Sequence, residues 1–382
     1  MTELTSKLLS GLTISLLLSF GLSANTSSPP TGNEFVKEIN KSFPLNADGR
    51  VELSNRYGQI NIRPWSKNEV KIDVRIVVQA RDQEAADRTF ERIRVSFYDT
   101  DDLVKAATEI GSRSGRSGWW PWKDGSKSSQ FKIYYEVQMP ESANLQAEAR
   151  YCDIRCDDLS GETEFDVKYG DLVAGRLNNR TQLSIAYGSG NVDFIGGLAD
   201  VEIRYSDLDE DDANNMEINS RYSELKLENC GDLDLDCRYD EVEIGKAGKV
   251  KISAGYGEFN LEEADELRGN SNYMSYEIGR LGKKLDIDTD YGDVEVGPVA
   301  PGFTEIRIRG GYSDIEILMD KNAGYEVSAR ASYADVDVPS SVDIKTRENK
   351  SNSESVTGTR SGTGNGRIDI SSSYGDIDVR EY

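Results

Sequence analysis

The chain has 382 residues, with 45 Lys or Arg against 68 Asp or Glu, a formal charge of −23, and no histidine. That charge excludes a nucleic-acid binder, which needs a basic face to displace counterions from phosphates. The missing imidazole removes Ser/His/Asp and Cys/His nucleophilic sites and every zinc site that depends on one. With 37% apolar residues, 35 Gly and 19 Tyr, the composition points to a turn-rich β protein rather than a helical bundle.

The first element is a targeting segment. Lys7 precedes the apolar run LLSGLTISLLLSFGL, followed by Ser23, Ala24 and a polar stretch. Residues 1–24 therefore read as a signal peptide, which implies export to the periplasm or cell surface and leaves no stable transmembrane segment after cleavage. Residues 25–48 read as a linker.

Residues 49–145 read as an N-terminal cap sheet with one helix. VELSNRYGQINI, EVKIDVRIVVQA, IRVSFY and FKIYYEVQMP alternate as strands, and DQEAADRTFER has helical character. A loop within this cap carries Trp119, Trp120 and Trp122 beside Arg113, Arg116, Lys123 and Lys127, with Asp124 as the only acid among them. Exposed tryptophan beside basic residues suits a glycan, an anionic lipid or a partner protein. The bland alternative is that the rings fold back as a local core.

From residue 146 to 382 a tyrosine motif repeats. It reads RYCDIRC at Tyr151, KYGDLVA at Tyr169, RYSDLDE at Tyr205, GYGEFNL at Tyr256 and DYGDVEV at Tyr291, and it has an outlier, RYGQINI, at Tyr57. Successive tyrosines from Tyr151 are 18, 18, 18, 17, 17, 17, 17, 18, 21, 21 and 41 residues apart. A period of 17–18 suits one coil of a β-solenoid and is too short for helical-pair repeats. The expected fold is therefore all-β: a single-chain β-solenoid (β-helix) of about twelve coils, roughly 60 Å long at the interstrand spacing.

Apolar residues lie six and four positions before the tyrosine, as in Leu285 and Ile287, and three and five after it, as in Val294 and Val296. This spacing places a corner between the tyrosine and the third residue after it. By parity the tyrosine falls on the inward face, so a ring ladder inside the core is expected. The small residue after the tyrosine, such as Gly170 or Ser206, fits the corner. The 41-residue gap reads as two coils, one without its tyrosine, with a flexible insert at 345–367. Gly362, Gly364 and Gly366 resemble a phosphate loop only superficially, because no helix pattern follows.

Cys152 and Cys156 lie several coils from Cys230 and Cys237, beyond disulfide reach. Local bridges within each pair and buried free thiols both remain open.

The second position after the tyrosine is acidic in ten of the thirteen motifs, from Asp153 to Asp376. Early repeats precede the tyrosine with a base, such as Arg150 or Lys168, and later ones do not. Carboxylates stacked about 5 Å apart repel, and Ca²⁺ could relieve that repulsion at Asp293, Glu295, Asp314 and Glu316. A solvated acidic face that keeps the rod soluble is the simpler reading. Because these acids follow the repeat rather than breaking it, no catalytic residue is expected and the chain does not read as an enzyme.

The YGDVEV coil with its LDIDTD lead-in, the segment GRVELSNRYGQINIRPW and the entry EVQMPESANLQAEARYCDI resemble the bacterial putative-adhesin domain family of unknown function, over about residues 35–382. The resemblance implies an exported, adhesin-like β-solenoid without catalytic residues, binding an unidentified protein or glycan at the envelope. An envelope-stress accessory is the alternative, and a carbohydrate-active β-helix enzyme comes third.

Overall fold

A computed structural model describes residues 32–111 and 130–382, and within them the chain is almost entirely β, with one helix at Gln83–Phe90. Residues 1–24 and the tryptophan-bearing loop lie outside the described residues. No helix among the described residues is long and apolar enough to cross a membrane.

The N-terminal region is built around strand Arg50–Trp65. On one side this strand pairs in parallel with Leu103–Ile110 and Gln130–Pro140, and on the other with Asn144–Cys156. Glu69–Ala80 runs antiparallel to Gln130–Pro140, and Ile93–Thr100 antiparallel to Leu103–Ile110. The helix starts where the Asp82 carboxylate accepts the Ala85 N–H at 2.8 Å, an N-cap that satisfies one orphan donor.

The linker expected over 25–48 is not one where it is described. Asn33–Pro44 is a strand paired residue for residue with Glu69–Ala80. Its inner face shows apolar side chains only at Phe35, Ile39 and Phe43, with Lys37 and Lys41 between, so the alternation is too sparse to read as a strand.

From Asn144 onward each repeat lays its strands parallel and in register on the preceding repeat. Ahead of the tyrosine, Leu53, Ala147, Phe165, Leu183, Val201 and Ile218 lie opposite one another in a buried file. After the tyrosine, Leu172, Gly190, Leu208, Leu225 and Val242 form a second file. Neighbouring strands about 4.8 Å apart bring these side chains into contact along the stack, so one core runs its length.

The end of the stack departs from sequence order. Thr363–Ser372 lies between Glu305–Tyr312 and Ala323–Ser332, and Ile377–Glu381 lies between Ile315–Met319 and the short strand Val336–Asp337. The last repeat of the chain is thus inserted beneath the one before it. Among residues 151–382 no repeat has lost its tyrosine. The supposed flexible insert at 345–367 instead forms a hairpin, Asp343–Lys350 with Ser353–Arg360, which runs antiparallel on Ala323–Ser332.

The parity of the tyrosine is also corrected. All thirteen motif tyrosines are exposed, by 39–61% of their surface. Eight of them, including Tyr57, Tyr169 and Tyr239, take a left-handed φ of 51–63°. The chain therefore turns at the tyrosine itself, and the residue after it points inward, as buried Cys152, Ser206 and Met274 show. Where that residue is Gly170, a Cβ would stand 2.2 Å from the Cys152 carbonyl oxygen, so backbone contact between repeats requires glycine there.

Candidate interaction surfaces

The exposed tyrosines make one continuous ladder. From Tyr57 through Tyr151 to Tyr312, Tyr374 and finally Tyr333, twelve successive ring pairs stack at 4.5–5.3 Å, with planes 2–12° apart. Phe131 closes the first end edge-on against Tyr57 at 5.6 Å. Because ring faces are occupied by neighbouring rings, the ladder leaves edges and hydroxyls to solvent.

The two flanks of the ladder differ in charge. On the side before the tyrosine, Arg56, Arg150 and Lys168 stand in register, as do Arg204, Arg221 and Arg238. Lys168 Nζ lies 5.6 and 5.9 Å from the Tyr169 and Tyr187 ring centroids. Arg150 pairs with Asp166 at 2.8 Å and Arg204 with Glu202, whereas Arg221 and Arg238 hold no ion pair among the described residues.

The acids on the other flank have a structural task. Asp153 accepts the Asp171 N–H at 3.1 Å, Asp293 accepts that of Asp314 at 3.2 Å, and Asp314 accepts that of Asp376 at 2.8 Å. Each carboxylate thus satisfies a corner amide of the next layer that the ladder of strands leaves unpaired. Of the proposed calcium ligands, Asp293 and Asp314 are engaged in this way. Glu316 pairs with Arg380 at 2.7 Å, and Glu295 lies opposite Glu277 and Glu316 in register. Among the described residues no three acids or cysteines gather to hold a metal. Trp119, Trp120, Trp122, Arg113 and Arg116 lie outside the described residues.

Away from the tyrosine ladder, two open grooves lie among the layers between Phe194 and Asp286. One, of about 570 Å³, is lined by both signs of charge, with the acids Glu217, Asp232, Asp234, Glu266 and Asp286 beside the bases Lys249, Lys251, Arg268 and Lys284. The other, of about 640 Å³, is lined by Phe194, Asn214, Asn229, Lys246, Glu263 and Asp265. Lys246 and Lys251 are neutralised by Glu263 at 3.4 Å and Asp234 at 2.7 Å, while Lys249 and Arg268 hold no ion pair among the described residues. The Arg176 guanidinium covers the Phe194 ring at 4.0 Å. These grooves escape sequence reasoning because their polar side chains sit on outward positions that look like any solvated strand face.

One buried acid was also missed. Glu210 is fully buried, and both carboxylate oxygens lack a hydrogen-bond partner. Burial, reinforced by Asp212 and Asp211, pushes its carboxyl up to about 8. The signal was an acid at the fifth position after a tyrosine, where the repeats on either side carry Val192 and Leu227. The four cysteines are free and buried, and burial pushes the Cys152, Cys230 and Cys237 thiols up to about 12, so none is a reactive thiolate.

No family model matches the chain, and no curated relative matches it. Among solved structures, the chain is similar to a putative cell adhesion protein from Clostridium sporogenes at 9% identity, covering 91% of this chain and 100% of that one, with a TM-score of 0.20. A putative adhesin from Parabacteroides distasonis matches at 11% identity, covering 92% of this chain and 98% of that one, with a TM-score of 0.26. A putative lipid binding protein from the same organism matches at 10% identity, covering 92% and 98%, with a TM-score of 0.24. The names of the first two agree with the family that the sequence resembles.

Proposed function

We propose that the chain is an exported β-solenoid that acts as a non-enzymatic, adhesin-like binding protein at the cell surface or in the periplasm, taking an extended polar ligand such as a glycan in its paired grooves. The observation that supports this reading is the pair of open grooves, lined at repeat spacing by amide, carboxylate and ammonium side chains. Such groups, acids and bases interleaved, match the hydroxyls of a linear sugar chain. Catalysis has little to work with. Five of the acids beside the tyrosine ladder, Asp153, Asp171, Asp293, Asp314 and Asp376, are spent on backbone amides, and the one carboxyl among the described residues with a strongly displaced pKa, Glu210, lines neither groove.

Cell fractionation with protease treatment of intact cells, followed by a glycan array, tests the proposal. The expected result is protein in the envelope fraction and glycan binding that falls at least about tenfold in a Lys249→Glu/Arg268→Glu variant. Binding lost instead on changing Trp119, Trp120 and Trp122 to Ala would move the ligand to that loop. Protein retained in the periplasm with no glycan bound would overturn the adhesin-like reading in favour of an envelope-stress role.

A further inference from the structure

We propose that two copies of this chain pair in parallel, tyrosine ladder against tyrosine ladder, about a two-fold axis that runs along the ladder. This goes beyond the groove-binding reading and uses a different corner of the repeat. Thirteen half-exposed rings form a single strip of aromatic edges roughly 60 Å long, from twelve steps of 4.5–5.3 Å. An aromatic strip that continuous is unusual to leave in water on a chain otherwise covered by charge.

The flanks decide the partner and its direction. In five repeats a cation stands just before the tyrosine and an acid two residues after it: Arg150 with Asp153, Lys168 with Asp171, Arg204 with Asp207, Arg221 with Glu224, and Arg238 with Glu241. A two-fold axis along the ladder exchanges the flanks and keeps every layer level with its own copy. Each cation then faces the acid of the same layer on the second copy, and each acid faces the matching cation. Turning one copy end for end would instead set acid flank on acid flank.

In the later layers the flank before the tyrosine carries Gly255, Asn272, Gly311, Ser332 and Ser373, which set no like charge against the opposing acids. Asp290, facing Asp293, is the one exception. Both ladders share one spacing, so the parallel arrangement stays in step over the full length. Four residues span about 13 Å along the chain, and because the chain turns at the tyrosine, a strip of that length offers at most about 800 Å² per copy, within reach of a standard stable interface.

Sedimentation velocity on the full chain tests this, over a concentration series at about 20 mM and about 1 M salt, where the Debye length falls from about 20 Å to about 3 Å. The chain is expected to dimerise at low salt and to weaken about tenfold or more at high salt. Arg221→Glu with Arg238→Glu should weaken the low-salt dimer similarly. Adding Glu224→Arg and Glu241→Arg to that variant should restore it, because both swaps meet across the axis. All four side chains are exposed, and matched circular dichroism melts check that each variant folds. A chain that stays monomeric at low salt, a dimer indifferent to the reversals, or one that the fourfold swap does not restore would overturn the proposal.

Discussion

Glu210 shows what one residue costs inside a repeat. The layers above and below it place Val192 and Leu227 directly opposite, so its carboxyl has only aliphatic neighbours in register. With its pKa displaced from 4.5 to about 8, the native state holds a proton that the unfolded chain gives up near its ordinary value. Between those two values the native state binds more protons than the unfolded state, so stability falls as pH rises. Glu210's contribution is fully present below about pH 4.5 and lost once pH passes about 8. Glu210→Leu is expected to remove this slope, so that its advantage over the parent grows by up to about 4 kcal/mol between about pH 4.5 and about pH 9 in urea unfolding. An unchanged slope would mean that the carboxyl is hydrated in the native state. The charge pattern of this residue was visible in the sequence, but it sits within a run of five acids, 209–212 and 207, where a single inward position is easily taken for part of a solvated face.

Among the elements, the C-terminal hairpin protects the stack. Ala323–Ser332 would otherwise end it as an open edge, the kind of strand that pairs with other molecules. Ser353–Arg360 covers that edge, and the fully exposed Asp343–Lys350 follows as a charged outer strand. The hairpin looked like a loop because it buries Glu354 rather than an aliphatic residue at one inward position. Glu354 is paired with Arg347 at 2.6 Å and accepts the Val336 N–H at 3.3 Å. Arg347→Ala leaves that carboxylate buried without its cation. The expected loss is about 2 kcal/mol, read from chemical denaturation, and Arg347→Ala/Glu354→Leu should recover most of it. A single variant as stable as the parent would show that the pair is solvated. Asn33–Pro44 at the opposite end was missed for a related reason: one apolar side chain in four is enough for a strand lying on a sheet, but too few to stand out as alternation.

At the scale of the molecule, spacing carried more information than composition. The interval between tyrosines reported that strands recur every 17–18 residues, and the aliphatic pairs on either side reported which positions face inward. Both follow from the two-residue period of a strand. Parity across the corner could not be read in the same way, because a single residue in the left-handed region reverses it. Eight tyrosines occupy that region, which is why the ladder is legible as a ladder but lies outside the core. The order of the last two repeats was hidden as well, since their pairing depends on a hairpin whose strands bury a single aliphatic side chain, Val356. The grooves depend on side chains from several layers, and nothing within one repeat marks them.

The external ladder is the claim on which the pairing surface rests, and nitration tests it most directly. The full chain would be treated with tetranitromethane in about 1 M salt, where ion pairing between copies is screened, and mapped by peptide mass spectrometry. Tyr151, Tyr205, Tyr239 and Tyr312 should be modified in the native chain, while Tyr135, Tyr276 and Tyr325, each no more than 2% exposed, stay unmodified. Ladder tyrosines that react only after the chain is unfolded would contradict the account and return them to the core.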